Sequence, residues 1–185
     1  MNAENPSPKK LSLHLGSVSE DAVRAMAQNT IRPLLDEEAR HEAERRRWDN
    51  APVGTEMPDG SIFADRTSAG VPVYAMPEDE DKSGLMDLAH AQESARRLNH
   101  GKAHGHDDWR LPSREELTLL FNSRAKIGNF FTKAIGWPCG AYWSAPDAAT
   151  GDISGRYFPK GNEEKVADFC SLVVRCVRSG PWRPD

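Results

Sequence analysis

With 185 residues, 38% of them hydrophobic and 28% charged, the chain can bury one core plus an extension, which excludes whole-chain disorder. Thirteen prolines and fourteen glycines favour a loop-rich domain over a helical bundle. The formal net charge of −4 gives no broad positive field to drive nucleic-acid binding, and no apolar run is long enough for membrane insertion.

Residues 1–16 read as a tail rich in Pro, Ser, Lys and Asn, apart from Leu11-Ser12-Leu13-His14-Leu15, whose alternation suits an edge strand offered to a partner. The start Met1-Asn2-Ala3-Glu4-Asn5-Pro6 lacks a basic segment followed by an apolar one, so cytoplasmic synthesis without a signal peptide is expected. Ser17 and Glu20 have capping-box spacing ahead of a helix carrying Val23, Met26 and Ala27, and Pro33 interrupts or restarts it. Residues 34–48 are helical in propensity but mostly charged, with Asp36/Arg40 and Glu42/Arg46 at supportive spacing. Such a helix is either a solvated connector or a docking element, for which Val23, Met26, Ile31, Leu34, Leu35 and Ala39 supply an apolar seam. Residues 17–48 are thus the segment expected to join a larger assembly or a second copy of the chain.

Ala51-Pro52-Val53-Gly54 separates an N-terminal segment, residues 1–50, from a domain at 55–180. Residues 61–65 and 71–76 read as a hairpin around Thr67-Ser68-Ala69-Gly70. An acidic loop at 77–82 follows, then a helix capped by Ser83 and stopped by Gly101, with Leu85, Leu88, Ala91, Gln92, Ala95 and Leu98 on one face. In Asp108-Trp109-Arg110-Leu111-Pro112-Ser113-Arg114-Glu115-Glu116-Leu117, Pro112 keeps Leu111 extended, while Ser113 and Glu116 form a capping box. Trp109 and Leu111 therefore enter a core where a helix begins. Phe130, Phe131, Ile135 and Trp137 read as plugs beneath a loop at 122–141, and short strands follow at 142–145, 156–158 and 172–178.

Three ordered motifs, Trp109-Arg110-Leu111-Pro112, Tyr142-Trp143-Ser144 and Arg175-Cys176-Val177-Arg178, resemble the C-terminal domain family of the Legionella collagen-like protein, a bacterial branch of the C-type-lectin-like fold. Met57-Pro58-Asp59-Gly60-Ser61-Ile62-Phe63-Ala64, Val73-Tyr74 and Ala89-His90-Ala91-Gln92 fit the same order, so the resemblance covers residues 55–180. It implies an α+β domain with short antiparallel strands, two packed helices and long loops, in a family that includes carbohydrate and glycosaminoglycan binders. Related phage-borne variable proteins carry their binding surface in the region matching residues 146–164.

The remaining constellations are weighed against structural readings. His100, His104 and His106 beside Asp107 and Asp108 are chemically adequate for a divalent ion, but they fit an ordinary polar connection equally well, and no metal or other cofactor is expected. Glu-Pro-Asn, Gln-Pro-Asp and Trp-Asn-Asp calcium motifs are missing, and Asp147 and Asp152 read as turn residues. Cys139, Cys170 and Cys176 form an odd set without a zinc-type pair and read as free thiols. The Arg-Leu-Pro pattern also occurs in formylglycine-generating enzymes, yet these cysteines do not match their copper-binding pair, and no other catalytic motif is present. Arg110, Arg175 and Arg178 read as partners of acids such as Asp108, Glu115 or Asp168.

The functional expectation is a non-enzymatic binding module, a component of a phage or phage-like particle, that recognises a cell-surface glycan or protein by multivalent capture. Tyr142, Ser144, Arg156, Tyr157, Lys160 and Asn162 are the expected ligand contacts, with either Trp143 or its neighbours Tyr142 and Ser144 facing outward. The alternative is a structural or protein-interaction component of an intracellular assembly, and a metal-dependent enzyme, which would require His100, His104 and His106 to converge in a cleft, is a distant third. An exposed patch at Tyr142, Tyr157 and Lys160 favours capture; burial of that patch with an apolar Val23/Met26/Leu34 stripe favours assembly.

Overall fold

The structure, a computed structural model, describes residues 19–80, 85–131 and 139–182. It divides into two compact units, residues 1–44 and 45–185. The expected tail strand at 11–15, Ser17 and Ser83, and Ile135 and Trp137, lie outside the described residues.

Helix α1, Glu20–Met26, starts at Ser19, whose side chain accepts the Ala22 amide at 3.2 Å. The cap is thus Ser19 rather than the predicted Ser17. Pro33 does not break the helix. One π turn, Ala27–Ile31, precedes it, and α2, Arg32–Asp49, continues directly. Pro33 has no N–H to donate and its ring crowds the carbonyl four residues back, so the wider turn accommodates it without ending the helix.

In the second unit, β1, Ile62–Arg66, and β2, Pro72–Ala75, form the expected hairpin, with Ile62 opposite Ala75 and Arg66 opposite Pro72. The last strand, β6, Val177–Ser179, joins the free side of β2, giving the order β1-β2-β6. A second antiparallel sheet orders β3, Ala141–Trp143, β4, Ser154–Tyr157, and β5, Asn162–Lys165. Helix α3, Leu88–His100, begins at Asp87, which accepts the His90 amide, and ends at Gly101. Helix α4, Arg114–Ile127, carries the predicted capping box of Ser113 and Glu116. The domain is α+β, as the motifs implied.

The segment expected as one strand at 172–178 is instead a wall between two cores. Val173 and Val177 pack with Leu117, Leu120, Tyr142 and Phe158, whereas Leu172, Val174 and Cys176 pack with Trp109, Leu111 and Trp143 on the opposite side. This is two-residue alternation with both faces buried. Hydrogen bonds tie the wall to the second sheet and to the Trp-Arg-Leu-Pro segment: Val173 exchanges amide bonds with Ala141 and Trp143, and Val177 exchanges a pair with Arg110, all between 2.8 and 3.0 Å. A third cluster, Met57, Phe63, Tyr74 and Trp182, receives Trp48, whose ring centroid lies 5.5 Å from that of Trp182.

Arg175 lies within the wall with its side chain 0% exposed. Its Nε donates to Asp79 Oδ1 at 2.7 Å, and its two terminal nitrogens donate to the carbonyls of Met76 at 3.0 Å and Asn129 at 2.6 Å. Asp79 accepts a second bond, 2.7 Å, from the Tyr142 hydroxyl. The acidic loop at 77–80 is therefore pinned from within, an arrangement its surface-like composition conceals.

Removing one member of a buried charge pair leaves the other uncompensated, so Asp79→Asn is expected to cost about 3–5 kcal/mol in urea denaturation at neutral pH. Tyr142→Phe, which removes only a hydroxyl, is expected to cost about 1–2 kcal/mol. An Asp79→Asn cost below about 1 kcal/mol would contradict the pairing.

Candidate functional site

The predicted ligand contacts divide by burial. Tyr142 and Ser144 are 0% exposed and Tyr157 is 7% exposed. The expectation that one side of the Tyr142-Trp143-Ser144 strand faces solvent is corrected, because its alternating side chains enter two different cores. Tyr142 joins Phe158 and Leu120, while Trp143 joins Trp109 and donates its indole N–H to the Met86 carbonyl at 2.7 Å. The Ser144 hydroxyl lies 2.9 Å from that of Ser154. None of these three predicted contacts can meet a ligand while the core is packed.

Arg156 is committed internally, donating to the Gly161 carbonyl at 2.9 Å, to the Thr118 hydroxyl at 2.8 Å and to Glu163. Gly161, at φ +85°, has no room for a side chain, because an added Cβ would lie 2.5 Å from the Phe121 ring. Lys160 and Asn162 are the two predicted contacts that remain exposed, on the turn into β5 and its first residue.

The three histidines do not converge as a ligand set. His104 Nδ1 lies 2.6 Å from the Asp59 carbonyl and His106 Nε2 lies 2.8 Å from Asp59 Oδ2, so both fasten the connection after α3 to the loop before β1. Burial raises the Asp59 pKa, but the Ser61 hydroxyl and amide, together with His106, hold it below the usual carboxylate value. Among the described residues no group of three His, Cys, Asp or Glu side chains is placed to hold a metal ion. Asp147 closes its turn by accepting the amides of Ala149 and Thr150, both at 2.9 Å. Cys139, Cys170 and Cys176 are free thiols, and burial pushes the Cys176 thiol upward.

The Trp-Arg-Leu-Pro segment organises a surface that the sequence did not single out. Trp109 is held from both sides of its backbone by Asn99, at 2.7 and 2.8 Å, and its indole N–H donates to the Ala103 carbonyl at 2.8 Å. Leu111 is buried, and Pro112 accepts the Ala145 amide at 2.7 Å. Between this segment and α3 lies a cleft of ≈ 400 Å³ with Ala95, Leu111, Ala145 and Pro146 among its apolar lining, and Gln92, Arg96 and Arg110 at its polar edges.

Arg110 is fixed in place by a bidentate pair with Glu116, at 2.6 and 2.7 Å, and by the Ser179 hydroxyl at 2.7 Å. Glu115, one of the acids expected to pair with these arginines, accepts the Ser68 amide. Arg175 pairs with Asp79, which is not among the acids expected, and Arg178 reaches Asp108, which is, at 3.2 Å. Arg96 pairs with Glu93 in an exposed i,i+3 contact of the kind worth little in water. The cleft thus offers an apolar floor, one preset guanidinium and one guanidinium that an incoming acid can recruit. The polar side chains of the opening all fall between Gln92 and Ser113, yet its floor needs Ala145 and Pro146 from beyond α4.

Burial raises the Glu116 pKa, but bonds from Arg110, the Ser113 amide and Ser179 outweigh it and hold the carboxyl at about 2, against an ordinary 4.5. A folded-state pKa below the unfolded one stabilises the fold above the unfolded value, and that stabilisation is lost as pH falls through the folded value. Wild-type stability is therefore expected to fall between about pH 4.5 and about pH 2. Glu116→Gln should lose on the order of 2–3 kcal/mol at neutral pH and show a flatter acid limb in urea titrations.

Residues 40–178 match the family model described as the Lcl C-terminal domain. Comparison with curated protein sequences gives no match.

Proposed function

We propose, from the premise that the chain belongs to the Lcl C-terminal domain family, that this domain is a non-enzymatic capture module for a cell-surface glycan or protein. The family is consistent with binding or adhesion at that coarser level. The observation carrying the finer reading is the cleft between α3 and the Arg110–Ser113 segment, whose apolar floor and guanidinium edges suit a ligand with one apolar face and an acidic or hydroxyl-rich rim. A rigid floor lowers the ordering cost of binding, because Leu111 and Ala95 are already fixed by the core. Lys160 and Asn162 lie apart from this cleft's lining and serve as secondary contacts at most. Presentation of several copies, as on a phage or phage-like particle, would turn weak sites into firm attachment. Among the described residues no helix is long and apolar enough to cross a membrane, and the exposed apolar residues of the N-terminal helix are the feature that suits attachment to a larger body.

A second reading is a structural component of an assembly. It is favoured by burial of Tyr142 and Tyr157 together with the exposed Val23, Met26 and Leu34, which are 56%, 62% and 60% exposed. The two readings separate on a glycan array probed with the wild-type chain and with Arg96→Glu. Capture predicts binding to acidic glycans that weakens at least about tenfold in Arg96→Glu, about 1.4 kcal/mol, with Lys160→Ala within about twofold of wild type. Absence of binding by the folded wild-type chain would transfer the assignment to the structural component.

A further inference from the structure

We infer that residues 22–35 pair with the same segment of a second copy of the chain as a parallel two-stranded coiled coil, and that the π turn before Pro33 sets its register. This deepens the multivalent reading above by naming the contact that brings copies together.

The helix from α1 through the π turn into α2 has no buried residue, and Val23, Met26, Ile31, Leu34 and Leu35 are each between 47% and 62% exposed. In an unbroken α-helix Ile31 would point roughly 80° away from Val23, and the apolar stripe would smear around the helix. The π turn, in which the Arg32 N–H donates to the Ala27 carbonyl, takes up one extra residue. Counted through it, Val23 and Ile31 both occupy position a of a heptad, and Met26 and Leu34 both occupy position d. The turn converts a scattered set of apolar residues into one seam.

Three observations select a second copy as the occupant. β-Branched residues at both a positions with unbranched or γ-branched residues at both d positions are the pattern that favours two parallel strands. The flanking e and g positions through the seam are Ala22, Ala27, Thr30 and Leu35, all uncharged, so two identical helices approach without like charges in contact. The seam also has a defined end: Glu38 takes the next a position and Glu37 the adjoining g position, where identical parallel helices would repel. Two heptads fall short of the three to four that sustain a stable coiled coil, so the pairing is weak and responds to local concentration.

Sedimentation equilibrium of the full chain without ligand tests this. Wild type is expected to form a concentration-dependent dimer with a dissociation constant of about 10–100 μM. The double variant Ile31→Asp/Leu34→Asp, which alters only exposed side chains, should raise that constant at least about 100-fold while leaving near-ultraviolet dichroism unchanged. Pro33→Ala removes the cause of the π turn. It should increase the helical dichroism signal yet weaken pairing about tenfold, the opposite of what added helix propensity alone would do. A wild-type monomer at about 1 mM, a trimer or higher species, or a dimer indifferent to Ile31→Asp/Leu34→Asp would overturn the pairing. Pro33→Ala associating as tightly as wild type would overturn the register role. Glycan binding by the monomeric double variant reads the cleft alone, so failure of pairing and failure of capture remain distinguishable.

Discussion

A guanidinium taken out of water must find a donor-for-donor match, and in this domain the match for Arg175 fixes where everything else goes. Its partners are the carboxylate of Asp79 and the carbonyls of Met76 and Asn129, and its guanidinium carbon lies over the Phe130 ring, 4.2 Å from the ring centroid. Those groups come from the end of β2, the loop after it and the exit of α4. A buried ion pair is weak evidence for net stability, since desolvation offsets much of the attraction. Its consequence here is geometric: other packings would strand a buried charge, so loop, helix exit and wall are held to one arrangement.

That arrangement also decides which surfaces are available for function. By placing the 172–177 wall between two cores, the fold draws the rings of Tyr142, Trp143 and Tyr157 inward and commits the Tyr142 hydroxyl and the Trp143 indole N–H to internal bonds. Among the described residues, the side of α3 facing the Arg110–Ser113 segment stays accessible, and there an ion pair of a different kind operates. Arg110 is half exposed while its partner Glu116 is 4% exposed, so the pair presents charge outward from a buried anchor. One arginine motif thus builds the interior and the other equips the surface.

Much of the frame was legible in the sequence because local chemistry determined it. The hairpin around Thr67–Gly70, the Ser113/Glu116 capping box and the inward Trp109 follow from turn residues, capping spacing and apolar pattern, each acting over a few residues. What escaped were contacts over long separations. Nothing in Pro77–Glu80 signals that Asp79 meets Arg175, ninety-six positions on, and an acidic loop ordinarily reads as solvated. Strand β5 was missed because Asn162-Glu163-Glu164-Lys165 carries no strand-like alternation; it is held by pairing with β4 and by Glu163 with Arg156 and Arg114. Tyr142 and Ser144 were misassigned because alternation predicts one wet face only when a single core lies beneath the strand. The π turn was equally hidden, since Pro33 marks a disturbance without specifying its form.

The central claim is that the buried Arg175 network is part of the global core and not a surface ion pair. Hydrogen exchange at the Arg175 Nε–H, followed by nuclear magnetic resonance across a urea series, tests it most directly. The account predicts exchange only through global unfolding, with the same urea dependence as the most protected core amides. Exchange that is fast and insensitive to urea would contradict it, because it would place that guanidinium in contact with water in the folded protein.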